Sequence, residues 1–322
     1  MASPALAVSQ RRSIAKKTGG GDWVAHLVTL GFAAMVIAVT MFLVWELWLN
    51  SAVPRAKFGF SFLTSSDWDN GAGQFGALSF IYGTVLTSFL ALIMAAPLGI
   101  GAAIFLAELA PPRLSDGLTF VVELLAAIPS VIYGLLAIFT LLPLMRLYIE
   151  PFLKKTLGFL PIFQGYALGV SYLSAGVILA IMSVPFIISI SREALREVPR
   201  DQREAALALG ATTWEATSQV VVPYARLGIL GSTFLALARA LGETMAVIMV
   251  IGNSPGIHIS WLSPGYTIAG VVASEFAEAT GDLYLGALVE LGLVLFLLTM
   301  VINGLARLLV LATTRKGTAH AA

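Results

Sequence analysis

Two charged residues, Arg239 and Glu243, interrupt an otherwise apolar stretch between Leu227 and Ile251. Counted from Leu227 at 1.5 Å per residue, Arg239 lies roughly 18 Å along a helix, near the middle of a bilayer. A charge there costs about 2.5–3.5 kcal/mol on insertion scales, so it must face a partner or water. The chemistry open to it is contact with an oxyanion. A planar guanidinium fork matches phosphate oxygens, and a cation at that depth lowers the barrier to an anion. Glu243, four residues on, either neutralises the arginine at rest or accepts a hydrogen bond from protonated phosphate, which fully ionised sulfate cannot offer. The bland alternative is a self-contained ion pair that holds helices together, although Arg before Glu is the weaker order on a helix. A proton relay is a further use of such a pair. Glu290, near the outer end of another apolar stretch, is within reach of hydration and says less.

Other chemistries are excluded. The chain has no cysteine, so it offers no thiol nucleophile, disulfide or thiolate metal site. Its three histidines, His26, His258 and His320, are scattered, which argues against a metal cluster. No Gly-Lys pair exists, so the phosphate-cradling Gly-x4-Gly-Lys-Ser/Thr loop is absent and any nucleotide hydrolysis must come from another polypeptide. No Ser/His/Asp constellation converges on the apolar segments.

The elements that carry these residues follow from composition. Of 322 residues 58% are hydrophobic and only 11% charged, where a soluble domain is about a quarter charged. The expected fold is an all-α polytopic membrane protein with six transmembrane helices, at about 24–48, 78–107, 119–142, 168–191, 227–251 and 285–309. Pro97 and Gly99 should bend the second, Pro185 should break the fourth, and Ile128-Pro129-Ser130 lies in the third. Residues 1–22 read as a polar tail, 23–312 as the membrane domain and 313–322 as a second tail. Loops at 51–76, 146–165 and 252–282 fall on the outside. The first carries Phe58, Phe60, Phe62, Trp68 and Phe75, which suit a membrane surface or a partner protein; the last carries Glu275, Glu278 and Asp282.

Orientation follows from lysine and arginine. With the N-terminus inside, inner segments hold thirteen of the nineteen, outer loops five, and Arg239 lies within a span. That places both termini and the segment 192–226 in the cytoplasm.

This segment is where charge accumulates between two apolar runs. Pro199 suits the opening of a helix, and Gly210 suits the left-handed position that closes one. Thr212 and Glu215 form a capping box for a second helix, which Pro223 should stop. The result is two short helices joined by a tight turn between membrane spans, which is the form of a docking element.

The order Glu204-Ala205-Ala206-x3-Gly210-x9-Val220-x-Val222-Pro223 resembles the EAA loop of the membrane subunits of ABC importers, with Val where that pattern usually has Ile and Leu. Arg239-Ala-Leu-Gly242-Glu243-Thr244-Met245-Ala246-Val247 and Ala127-Ile-Pro129-Ser130-Val-Ile-Tyr133-Gly134 resemble the PstC-type permease subunits of phosphate importers. The resemblance covers most of residues 25–312. It implies a type I ABC importer (MetI-like) permease fold in the bacterial inner membrane. It also implies a PstA-like sister permease, an ATPase dimer and an external phosphate-binding protein as partners. No cofactor would be bound by this chain, with ATP and Mg acting on the ATPase. Glu204, Ala205, Ala206, Gly210 and Pro223 would then couple to the ATPase, and Arg239, Glu243, Thr244 and Ser130 would line the substrate path. Competing expectations are a permease for phosphonate, molybdate or sulfate, and a self-sufficient secondary transporter, against which the EAA-like loop argues.

Overall fold

The computed structural model describes residues 21–318. The expected N-terminal tail therefore falls outside the described residues, apart from Gly21 and Asp22. Helix α1, Gly21–Asn50, is a unit by itself. At 1.5 Å per residue it is about 45 Å long, enough to cross a bilayer.

From Ser51 on, the described residues form the second unit. Short helices α2 (Ala52–Phe58) and α3 (Ser61–Thr64) and a two-residue hairpin, β1 (Trp68–Asp69) with β2 (Gln74–Phe75), lead into α4, Leu78–Leu109. Then follow α5 (Pro112–Ala127), α6 (Ser130–Leu157), α7 (Tyr172–Arg196), α8 (Arg200–Ala208) and α9 (Thr213–Leu241). Three helices complete the fold: α10 (Met245–Ile248), α11 (Ile268–Glu275) and α12 (Asp282–Thr318). Because α12 runs to Thr318, most of the expected C-terminal tail is helical. Among the described residues six helices are long and apolar enough to cross a membrane.

The central contact is between α4 and α7. Added at Gly99, a Cβ would stand 2.7 Å from Ile187 Cγ2, and at Gly176 it would stand 2.7 Å from Leu90 Cβ. Glycine lets the two backbones approach this closely. α7 runs unbroken through Pro185, so the expected break there is absent.

The third span differs from its expected bounds. Pro129 cannot donate an N–H and forces Ile128 into extended backbone (ψ 129°), so the helix stops at Ala127 and a new one begins at Ser130. Helix α6 then continues to Leu157, through what sequence alone marks as an outer loop from Arg146. It carries Pro143 and Pro151 because each lies two residues beyond a π-helical turn, Ala137–Leu141 and Met145–Ile149. A π turn shifts bonding to i→i+5, which relieves the proline's missing donor and its clash with the i−4 carbonyl.

Near the end of α6, Glu150 is fully buried. Its carboxylate accepts from Gly169 N and Ser171 Oγ, both at 2.9 Å. Ser171 and its neighbours in turn hold the 250–265 segment, through Ser171 N to Val250 O (3.2 Å), Leu173 N to Trp261 O (2.9 Å) and Tyr172 N to Ser263 O (3.0 Å). Truncating Glu150 leaves the buried Gly169 N–H unpaired, at about 1–3 kcal/mol, and Ser171 with only Ser174 Oγ (3.1 Å) to donate to. Glu150→Ala should therefore lower the thermal midpoint of the purified protein by several degrees, and Glu150→Gln, which keeps an acceptor, by less.

The loop 51–76 corrects another expectation. Phe62 and Phe75 are 0% and 3% exposed and pack with Trp68, Phe80 and Tyr284 as an internal aromatic core. Phe60 does face out. Glu275 accepts from Trp68 Nε1 (2.9 Å) and Tyr284 Oη (2.7 Å) and so ties segment 51–76 to segment 252–282.

Candidate functional site

The segment 192–226 forms a hairpin whose base is pinned and whose tip is free. Pro199 stands just before α8, Gly210 turns the chain at φ +90°, and Thr212 with Glu215 makes the full capping box of α9. At the base, Arg203 grips Glu108 at the end of α4 in a two-pronged bond: Nε to Oε2 at 3.0 Å and Nη2 to Oε1 at 2.6 Å. Its Nη2 also donates to Leu195 O at 2.7 Å. Arg203 was not among the expected coupling residues. Two opposite charges 95 positions apart gave no sequence signal.

No residue of α8 is buried. Glu204 and Ala205 are exposed and Ala206 is half-buried, while Leu207 and Leu209 put apolar side chains in the open, Leu209 at 90%. Trp214 is exposed as well. An exposed apolar tip on a braced stem is the form of an interaction surface. Pro223 does not end a helix: α9 continues past it because the π turn Thr217–Val221 lies just before it. Its place is in the stem, away from the tip.

The second set of residues lies where two helices are interrupted. Helix α9 ends at Leu241 and Gly242 follows as its cap, so Arg239 and Glu243 are not one turn apart on a single helix. Arg239 sits in the last turn, exposed, with its guanidinium 5.7 Å from the centre of the Phe186 ring. That distance is within cation–π range. Glu243 turns the other way, and its Oε1 accepts from the backbone N–H of Thr244 (3.2 Å) and Ala246 (3.4 Å) at the start of α10. The ion pairs among the described residues involve other groups, so Arg239 and Glu243 do not neutralise each other by contact. Thr244 Oγ1 donates to Gly242 O at 3.3 Å.

The interruption in the third span meets this one. Gly134 of α6 packs on α10, where an added Cβ would stand 2.5 Å from Met249 Sδ and 3.2 Å from Ala246 Cα. Tyr133 staples the Pro129 break by donating its hydroxyl to Leu125 O at 2.8 Å. No hydrogen bond joins Ser130 to Arg239, Glu243 or Thr244. What the arrangement offers is an exposed cation at the end of α9, with the partly exposed hydroxyls of Ser130 and Thr244 at the starts of α6 and α10.

Residues 95–315 match the family described as "Binding-protein-dependent transport system inner membrane component". The chain belongs to this family. It is a multi-pass inner-membrane permease, and its relatives span almost its whole length. It is 44% identical over 303 residues to the phosphate transport system permease protein PstC of Mesorhizobium japonicum, covering 93% of each chain. With the PstC of Xylella fastidiosa it shares 45% over 294 residues, 90% of each. With PstC 2 of Mycobacterium tuberculosis it shares 39%, over 85% of this chain and 87% of the other. The permease is thus PstC-type. Among solved structures it is similar to a chain of a bacterial alginate ABC transporter at 16% identity and TM-score 0.55, covering 88% of this chain and 93% of the other. A chain of the MetNI methionine ABC transporter matches at 18% identity and TM-score 0.50, covering 71% and 93%. The fold is that of type I ABC importer permeases.

Proposed function

We propose that this permease forms half of the translocation path of an ATP-driven importer of inorganic phosphate and couples to a separate ATPase through α8. The observation that carries the substrate is the near full-length identity to several PstC permeases. The exposed, braced hairpin supports the coupling role. A PstA-like sister permease completes the path, an ATPase dimer docks on the cytoplasmic side, and an external phosphate-binding protein delivers the anion. The chain itself binds no cofactor; ATP and Mg act on the ATPase. Both termini are cytoplasmic, in keeping with the excess of lysine and arginine on that side.

In the path Arg239 meets the phosphate, Phe186 holds the guanidinium from behind, and Thr244 and Ser130 offer hydroxyls. Glu243 works indirectly by shaping the turn after Gly242. The reading is tested by phosphate uptake in cells lacking their own phosphate transporters, with the partner subunits co-expressed. Uptake of sulfate or molybdate but not phosphate would replace the substrate and leave the architecture standing.

Delivery needs a receiving surface outside. Phe62 and Phe75 are folded inward, which leaves exposed apolar side chains such as Phe60, 89% exposed, and Ile259, 70% exposed, to receive it. Photo-crosslinkers at these positions should capture the external binding protein, and one at buried Phe62 should not. Capture of lipid alone at both exposed sites would count against the delivery role.

A further inference from the structure

At the end of α7 two guanidinium groups converge on one hydroxyl. Nη2 of Arg192 and Nη2 of Arg196 each lie 3.4 Å from Ser115 Oγ on α5. That hydroxyl already donates its proton to Leu106 O at 2.7 Å. Ser115 is 3% exposed and the Arg192 side chain 9%, and Arg192 Nε has no hydrogen-bond partner. Among the described residues Asp116 is the one carboxylate in ion-pair range. It stands 3.8 and 3.9 Å from the two arginines, beyond hydrogen-bond length, with its own side chain 74% exposed. Glu123 and Glu193 add charge nearby, yet neither brings an oxygen into bonding range of Arg192.

This is unusual for a buried guanidinium. Its five donors normally all find acceptors, because an unpaired one carries the desolvation cost of a charged group. Arg203 shows the satisfied case close by, with two carboxylate oxygens and two carbonyls. Arg192 and Arg196 lack anionic oxygens of that kind. They also stand in the last two turns of a helix long and apolar enough to span a membrane, and the ends of such helices meet the headgroup phosphates.

We propose that Arg192 and Arg196, with Ser115 at their base, form a binding site for a phosphate oxyanion at the membrane surface, separate from the Arg239 region. Two guanidiniums converging from successive turns of one helix suit a group with several equivalent oxygens. An acidic phospholipid headgroup and free inorganic phosphate share this chemistry. The proposal does not depend on what the permease transports.

The test uses the full chain, purified with the subunits that accompany it, in nanodiscs of phosphatidylcholine with or without phosphatidylglycerol. Phosphatidylglycerol should raise the thermal midpoint by a few degrees, as a ligand of the folded state does. The rise should vanish in R192Q/R196Q, survive in part in R192K/R196K and be unchanged in R226Q. Native mass spectrometry should find phosphatidylglycerol retained by wild type and lost from the double variant. In a second arm, millimolar inorganic phosphate is added to phosphatidylcholine discs. A rise lost in R192Q/R196Q but kept in R239Q assigns the site to free phosphate and also supports it. Where R192Q does not accumulate, R196Q alone carries the test, since Arg196 is half-exposed and its neutralisation leaves no new buried charge. Equal rises in wild type and in the glutamine variants, or no rise with either source, overturn the site.

Discussion

Phosphate uptake should fall about 10- to 100-fold when Arg239 becomes Gln, since a hydrogen bond to a charged group is worth roughly 1.5–3 kcal/mol. Adding Glu243→Gln should not restore it. Were the two residues a mutually neutralising pair, the charge-free double variant would work and an exchange of the two would be tolerated. The geometry argues otherwise: Arg239 stands against Phe186, while Glu243 accepts backbone N–H groups at the start of α10. Exchange should therefore fail twice over, placing a carboxylate where the anion passes and a donor where an acceptor is needed. Arg239→Lys keeps the charge but loses the planar fork, so it should recover part of the rate. Glu243→Gln keeps an acceptor for the cap and should be mild, and Glu243→Ala should be worse. Uptake is measured in cells lacking other phosphate transporters, with membrane levels checked by blot. Wild-type uptake by the double variant would remove Arg239 from the path.

Replacing Gly210 with Val should leave the permease in the membrane and abolish substrate-stimulated ATPase activity in proteoliposomes. A Cβ at this position would meet nothing within 4 Å, so steric clash is not the cause. The cause is φ +90°, which a β-branched residue adopts only at about 1–3 kcal/mol of strain. The end of α8 would relax and carry Leu209 away from its place at the tip. Gly210→Asn, which tolerates positive φ better, should retain part of the stimulation. Ala206→Trp should give the same uncoupling by bulk, on a half-buried position of the same helix. Undiminished stimulation in both Gly210→Val and Ala206→Trp would remove the docking role from this hairpin.

The sequence by itself determined the elements whose signals are local. Apolar runs of span length are set by the bilayer's thickness, and they give six spans, though not the bounds of the third and fifth. Gly210 and the Thr212–Glu215 box act within a few residues, through backbone sterics and a reciprocal pair of bonds, and both stand where their types place them. Proline was harder, because its effect depends on the turn before it. Pro129 interrupts a helix, whereas Pro143, Pro151 and Pro223 each follow a π turn that accommodates them. Only the tertiary structure decided features that depend on distant partners. Glu275 serves Trp68, Glu150 serves Gly169 and Ser171, and Arg203 serves Glu108. A charge read along the chain has no direction. The helix end at Leu241, two residues short of Glu243, keeps Arg239 and Glu243 off one face and sent the arginine to an open surface and the carboxylate to the backbone.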